Sequence, residues 1–317
     1  MDPARIPLIL APTPLHRLDR ISSDLGLDVW IKRDDLTGFA MGGNKGRKLE
    51  YLLAEAIAQD ADTIVTCGST QSNFIRQLGT ACAMVGIHCV AATMELPYAA
   101  AYGVPPSDHA GLGGNLILDH IVGVELHRFP NDDWEVLYDH AEELAQRAEA
   151  KGHRVYRIPV GGSSGLGGYA FYRAAVEVGD DFDTIVTPCS SGSTHAGLAY
   201  AFHGTKTRVI GVACDPEPEI MEDLVRIAHE IDDITGLGRR LTEADYEFRL
   251  EWAGEAYGIP SPEGEQATHR LACREGIFLD PVYTAKGFAG LLGLAPELSG
   301  RILFWHTGGL PALFAHE

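Results

Sequence analysis

Lys45 ends the run Arg33-Asp34-Asp35-Leu36-Thr37-Gly38-Phe39-Ala40-Met41-Gly42-Gly43-Asn44-Lys45, where a glycine-rich loop gives way to a helix beginning near Asn44. The lysines of the chain are few (Lys32, Lys45, Lys48, Lys151, Lys206 and Lys286), and one directly behind two glycines is out of place as a solvated charge. Gly42 and Gly43 permit torsions and a close ligand approach that a Cβ would obstruct, and a helix start turns unpaired N–H groups to the same point. An amine desolvated there loses basicity and becomes a nucleophile for a carbonyl. The plainer role is a loop lysine paired with Asp34 or Asp35.

A second chemical segment is Thr187-Pro188-Cys189-Ser190-Ser191-Gly192-Ser193-Thr194-His195-Ala196-Gly197, after the apolar Thr184-Ile185-Val186 and before the helical Leu198 to Phe202. Strand, small-residue loop and helix in that order make an anion cradle, with backbone N–H groups and the helix N-terminus aimed at a phosphate. No Gly-Lys-Ser/Thr follows and the Gly-x-Gly-x-x-Gly spacing is missing, so the phosphate belongs to something other than ATP or NAD. A turn capped by Ser193 or Thr194 is the bland alternative. A nucleophilic lysine with a remote phosphate cradle fits pyridoxal phosphate, whose aldehyde needs the amine and whose phosphate needs the cradle.

On these residues the chain resembles the family of 1-aminocyclopropane-1-carboxylate deaminase and D-cysteine desulfhydrase, related in fold to the tryptophan synthase β subunit. The likeness runs through Thr13-Pro14-Leu15, Ile31 to Asp35, Gly42 to Lys45, Gln71-Ser72-Asn73 and Pro159 to Ser163. It continues through Thr194 to Gly197, Asp280 to Thr284 and His306 to Gly309. The resemblance implies a fold type II α/β protein of two domains, with twisted, mostly parallel sheets covered by helices. The larger domain, residues 1–49 and 159–317, would bind pyridoxal phosphate; the smaller, 50–158, would close over the cleft.

The resemblance also implies roles. Lys45 would carry the cofactor, Ser191, Gly192, Ser193 and Thr194 would hold its phosphate, and Asn73 would lie beside the ring hydroxyl. Ser72 and Asn73, assisted by Gln71, would grip the substrate carboxylate at a helix start, where Ser72 serves equally as an N-cap. Tyr257 and Tyr283 match the tyrosines flanking the substrate; each could instead be a packed aromatic. In the deaminase a glutamate after the Val-Tyr pair meets the pyridine nitrogen, whereas that position here is Thr284. Thr307 matches the neutral nitrogen partner of desulfhydrase-type members, which implies β-elimination of a good leaving group over opening of a cyclopropane. L-cysteate sulfo-lyase, releasing sulfite, is the nearest rival, then the deaminase, then a non-catalytic amino-acid or cofactor binder. Phe74 departs from the pattern, since the family usually has histidine there.

These residues need a scaffold that brings remote segments together. The 317 residues allow one large or two medium domains, and the formal charge of −19 argues against nucleic-acid and anionic-lipid partners. The N-terminus has no signal-like pattern and no long apolar stretch occurs, so a cytoplasmic protein is expected, and the family implies a homodimer. The six cysteines and thirteen histidines lack metal-ligand spacing, so no metal is expected and the thiols are read as reduced and mostly buried. Strands over 63–66, 88–92, 184–188 and 208–212 alternate with helices over 74–85 and 198–202, the rhythm of parallel sheets covered on both faces. The Ala-, Gly- and Pro-rich stretch from Tyr98 to Asn115 reads as a mobile loop over a cleft or a long surface excursion.

Overall fold

The structure, a computed structural model, describes residues 2–94 and 113–315. Most of the stretch from Tyr98 to Asn115 lies outside the described residues; Asn115 itself opens a helix. The strands are β1 (Leu15–Arg17), β2 (Asp28–Arg33), β3 (Thr63–Ser69), β4 (His88–Met94), β5 (Glu125–Phe129), β6 (Val155–Arg157), β7 (Thr184–Cys189), β8 (Arg208–Ala213), β9 (Glu247–Arg249) and β10 (Arg301–His306). The helices are α1 (Asp19–Leu25), α2 (Lys45–Ala58), α3 (Asn73–Val85), α4 (Asn115–Ile121), α5 (Trp134–Ala150), α6 (Gly165–Ala174), α7 (Ser193–Phe202), α8 (Ile220–Thr235), α9 (Pro262–Glu275) and α10 (Thr284–Leu294).

Among the described residues there are two sheets, of order β1-β2-β10-β7-β8-β9 and β5-β4-β3-β6. All neighbours run parallel except β1 and β2, which are antiparallel. Strands β3 and β7 are buried along their whole length, as Thr-Ile-Val runs covered on both faces must be. Helix α8 shows the complementary pattern: Leu224, Ile227, Ala228 and Ile231 make one buried stripe at helical spacing. Burying each Leu or Ile of such a stripe contributes roughly 1.5–3 kcal/mol.

The hydrophobic interior divides with the sheets. Val29, Ile31, Val186, Ile210, Phe288 and Phe304 belong to a core on the six-stranded sheet. Leu49, Leu52, Ile64, Phe74, Ile75 and Leu78 belong to one on the four-stranded sheet, whose strands all fall within residues 63–157. Helix α2 runs unbroken through residues 49 and 50 and supplies the second core directly after Lys45.

Candidate active site

Parallel strands deliver their C-terminal ends to one edge, and ligands of α/β sheets bind outside those ends. Here β3 ends at Ser69 and β7 at Cys189, and both residues line one cavity with Lys45.

The loop before Lys45 is fixed from below. Asp34 is fully buried and its carboxylate accepts hydrogen bonds from Arg47 (2.7 and 2.8 Å), Thr13 (2.8 Å) and Trp305 (2.8 Å). Asp35 is taken by Arg33 at 2.7 Å. Neither aspartate pairs with Lys45, so the loop-lysine role fails. Gly42, at φ 78°, passes so near Asp35 that a Cβ would stand 1.9 Å from its carbonyl oxygen. Only glycine fits that approach. The Asn44 N–H then donates to the Thr307 carbonyl at 2.9 Å, and the Asn44 side chain donates to Thr194 Oγ1 at 3.0 Å. One residue thus ties the lysine loop to the cradle, 150 positions away.

Burial depresses the Lys45 pKa, opposed by the nearby Cys214 thiol and Asp280. Lys48 sits one helical turn on and was not foreseen. Its amine donates to the Gly161 carbonyl at 2.9 Å, lines the same cavity as Lys45, and is held well below ordinary lysine basicity by burial and by Lys45 itself. The signal was available, since residues i and i+3 share a helix face. What concealed it was that a lysine on a helix is ordinarily a surface residue.

The cradle follows β7. Gly192, at φ 89°, precedes α7, and no side chain caps that helix. The hydroxyls of Ser193 and Thr194 are therefore not consumed by capping, and the first-turn N–H groups face the loop. Ser163 braces the loop by donating to Ser191 Oγ at 2.7 Å and lying 3.1 Å from Ser193 Oγ. Ser190 to His195 line a cleft of about 500 Å³ with Lys45, Lys48, Asn73, Tyr283 and Thr307. Burial holds His195 at about 4, so it stays neutral behind the cradle. Two amines, hydroxyls and a helix N-terminus converging on one cleft fit a phosphorylated aldehyde, and a phosphate gains most from them.

The remaining residues divide. Ser72 is the N-cap of α3, accepting from the Phe74 and Ile75 N–H groups at 3.2 and 3.3 Å, and it also lines the second cavity, of about 740 Å³. Gln71 is engaged elsewhere, donating to the Gly113 carbonyl at 3.1 Å and accepting from the Asn115 N–H at 2.8 Å. The Tyr257 and Tyr283 hydroxyls share a hydrogen bond beside that cavity. Burial pushes Tyr257 up to about 12, against its bonds with Tyr283 and Ser69. Asp280 accepts the Val282, Tyr283 and Thr284 N–H groups within 3.0 Å and so fixes the backbone of Tyr283. Thr284 is buried, and its hydroxyl donates to Asp280 at 2.6 Å instead of lining the cleft. Phe74 is buried in the core and also lines the cavity.

A two-sheet α/β protein with a buried amine and a small-residue loop at a helix N-terminus in one cleft fits an enzyme class built around a phosphorylated carbonyl cofactor. The chain belongs to the pyridoxal-phosphate dependent enzyme family, whose model matches residues 6–308. It is 38% identical over 326 positions to D-cysteine desulfhydrase of Salmonella choleraesuis (strain SC-B67), covering 99% of this chain and 96% of the relative. The crystal structure of an ACC deaminase homologue superposes with TM-score 0.89 at 35% identity, over 98% of this chain and 94% of the other. O-ureido-L-serine synthase shares the fold, at TM-score 0.67 and 19% identity over 95% and 90% of the two chains. The fold is type II and the cofactor is pyridoxal phosphate.

Proposed function

We propose that the chain eliminates the β-substituent of a cysteine-like amino acid, with water converting cysteine to pyruvate, ammonia and sulfide. The 38% identical desulfhydrase supports this reading. The observation that carries it over ring opening is the cofactor cleft itself. Among the described residues, no carboxylate lines it and Thr307 does, so a ring nitrogen held there would meet a neutral partner.

When bound, the cofactor would withdraw electrons from the substrate's α-carbon. Ser191 to Thr194 and Lys48 would hold its phosphate, Lys45 its aldehyde carbon and Asn73 its ring hydroxyl. Lys45, kept weakly basic by burial, takes the α-proton as general base. Ser72 and the α3 N-terminus orient the substrate carboxylate. The Tyr257–Tyr283 pair supplies a proton to the departing sulfur, with Tyr283 positioned by Asp280. The cleft is proposed to lie between a larger unit, 1–49 and 159–317, and a smaller one, 50–158, and we carry a cytoplasmic homodimer as part of the reading.

The test compares both cysteine enantiomers, L-cysteate, β-chloroalanine and 1-aminocyclopropane-1-carboxylate, measuring keto acid with sulfide or sulfite. Equal sulfide and pyruvate from D-cysteine are expected, with little product from the cyclopropane. The ACC deaminase homologue keeps the second reading in play. 2-Oxobutanoate from the cyclopropane as the best reaction would overturn the first.

A further inference from the structure

Two carboxylates stand in the cavity proposed for the substrate and have no part in the steps above. Asp215 and Glu217 lie on the turn between β8 and α8, in the order Asp215-Pro216-Glu217-Pro218. Each precedes a proline, which restricts its backbone, and the chain bends at Cys214 to Pro216. Both acids line the same cavity, and they share a hydrogen bond.

The turn is fixed beside the reacting groups. The Cys214 N–H donates to the Cys189 carbonyl at 2.8 Å, tying it to the end of β7. The buried Lys286 amine donates to the carbonyls of Cys214 at 2.9 Å and Ala256 at 3.0 Å, joining the turn to the segment carrying Tyr257. The Tyr257 N–H in turn donates to Asp215. Lys45, Ser72, Tyr257 and Tyr283 line the same cavity, walled by Trp134, Tyr138 and Phe248.

Charge complementarity there is one-sided. Among the described residues no arginine or histidine lines the cavity, and its cation, Lys45, is assigned to the α-carbon. The acids of neighbouring elements, Glu135 and Glu219, add to the field, while Lys286 offsets part of it behind Asp215. Arg226 is spent on Asp223 and Glu230.

We propose that the Asp215–Glu217 pair reads the charge of the substrate side chain, rejecting amino acids with an anionic β-substituent and admitting those with an uncharged one. The inference rests on the proposed substrate cavity and narrows its substrate class, setting sulfonates aside in favour of thiols. Burial and Asp215 push Glu217 up to about 7, so the pair gains negative charge as pH rises through neutrality.

Binding tests this without turnover. The holoenzyme is titrated with aspartate and its uncharged isostere asparagine, in both enantiomers, following the cofactor's visible absorbance. Asparagine should bind at least about tenfold more tightly, the effect of one partly screened charge at several ångströms. The ratio should be larger at pH 8 than at pH 6. In the Asp215→Asn, Glu217→Gln protein it should fall to within about twofold. Glu217→Gln alone, which leaves the Asp215 tether to Tyr257, should lower it part of the way. Equal binding of the isosteres by the wild type, or a ratio unmoved in a variant with wild-type melting and spectrum, overturns the proposal. No spectral response to any amino acid counts against the proposed function itself, a distinguishable result.

Discussion

Lys45 and Lys48 lie one turn apart in a single cleft, both depressed by burial, and only one of them stands on the loop made by Gly42 and Gly43. Reduction of the holoenzyme with borohydride, followed by peptide mapping, should find the cofactor on Lys45. An adduct on Lys48 would reverse the assignment. Lys45→Ala should lose at least about a thousandfold in turnover, the scale of a general base together with its covalent role. Lys45 was legible because its surroundings break the usual rule for lysines. Lys48 was hidden because helix periodicity alone does not reveal which face is buried. Gln71 marks the limit of residue-by-residue transfer, since its side chain is engaged with Gly113 and Asn115.

At the scale of elements, apolar runs placed β3, β4, β7, β8 and α3 to within a few residues, because period and turn chemistry are local. Helix α7 is the instructive difference: it starts at Ser193, whereas apolar periodicity marks only Leu198 to Phe202. In its first turn Ser193 and Thr194 line the cleft, while His195 is buried against Tyr246 and Phe248. Helix α4 carries a feature that no periodicity reveals. Asp119 is buried and its carboxylate oxygens have no hydrogen-bond partner among the described residues, so burial pushes it up to about 8 against the pull of Arg76. Its ordinary value is 3.8, so the folded chain binds this proton more tightly than the unfolded chain. The stability it contributes is complete below pH 3.8 and is lost as pH rises through about 8. Asp119→Asn should therefore gain on the wild type with pH, the gap in urea-unfolding free energy changing by about 2 kcal/mol or more between pH 5 and 8.5. Parallel curves would show that the carboxyl finds a partner when it ionises.

For the whole molecule, the candidate site draws on both sheets: Ser69 at the end of β3 and Cys189 at the end of β7 line one cavity with Lys45, and Asn44 is bonded to Thr194. No local pattern encodes that convergence, which is why the sequence yielded the two anchors separately and their proximity came through resemblance. In the proposed site the cofactor would have two independent holds, the amine and the cradle, and the molecule's stability should register each. A ligand at about 100 times its dissociation constant stabilises the folded state by about 2.7 kcal/mol. For a chain of this size that raises the melting temperature by about 5 °C. The Lys45→Ala protein should retain much of this rise with pyridoxal phosphate, because in the proposed site Ser191 to Thr194 and Lys48 would still meet the phosphate. Pyridoxal without its phosphate, deprived of both holds, should leave the melting temperature unchanged. An equal rise with the two compounds would move the phosphate out of the α7 cradle, and no rise with either would make the covalent link the sole anchor.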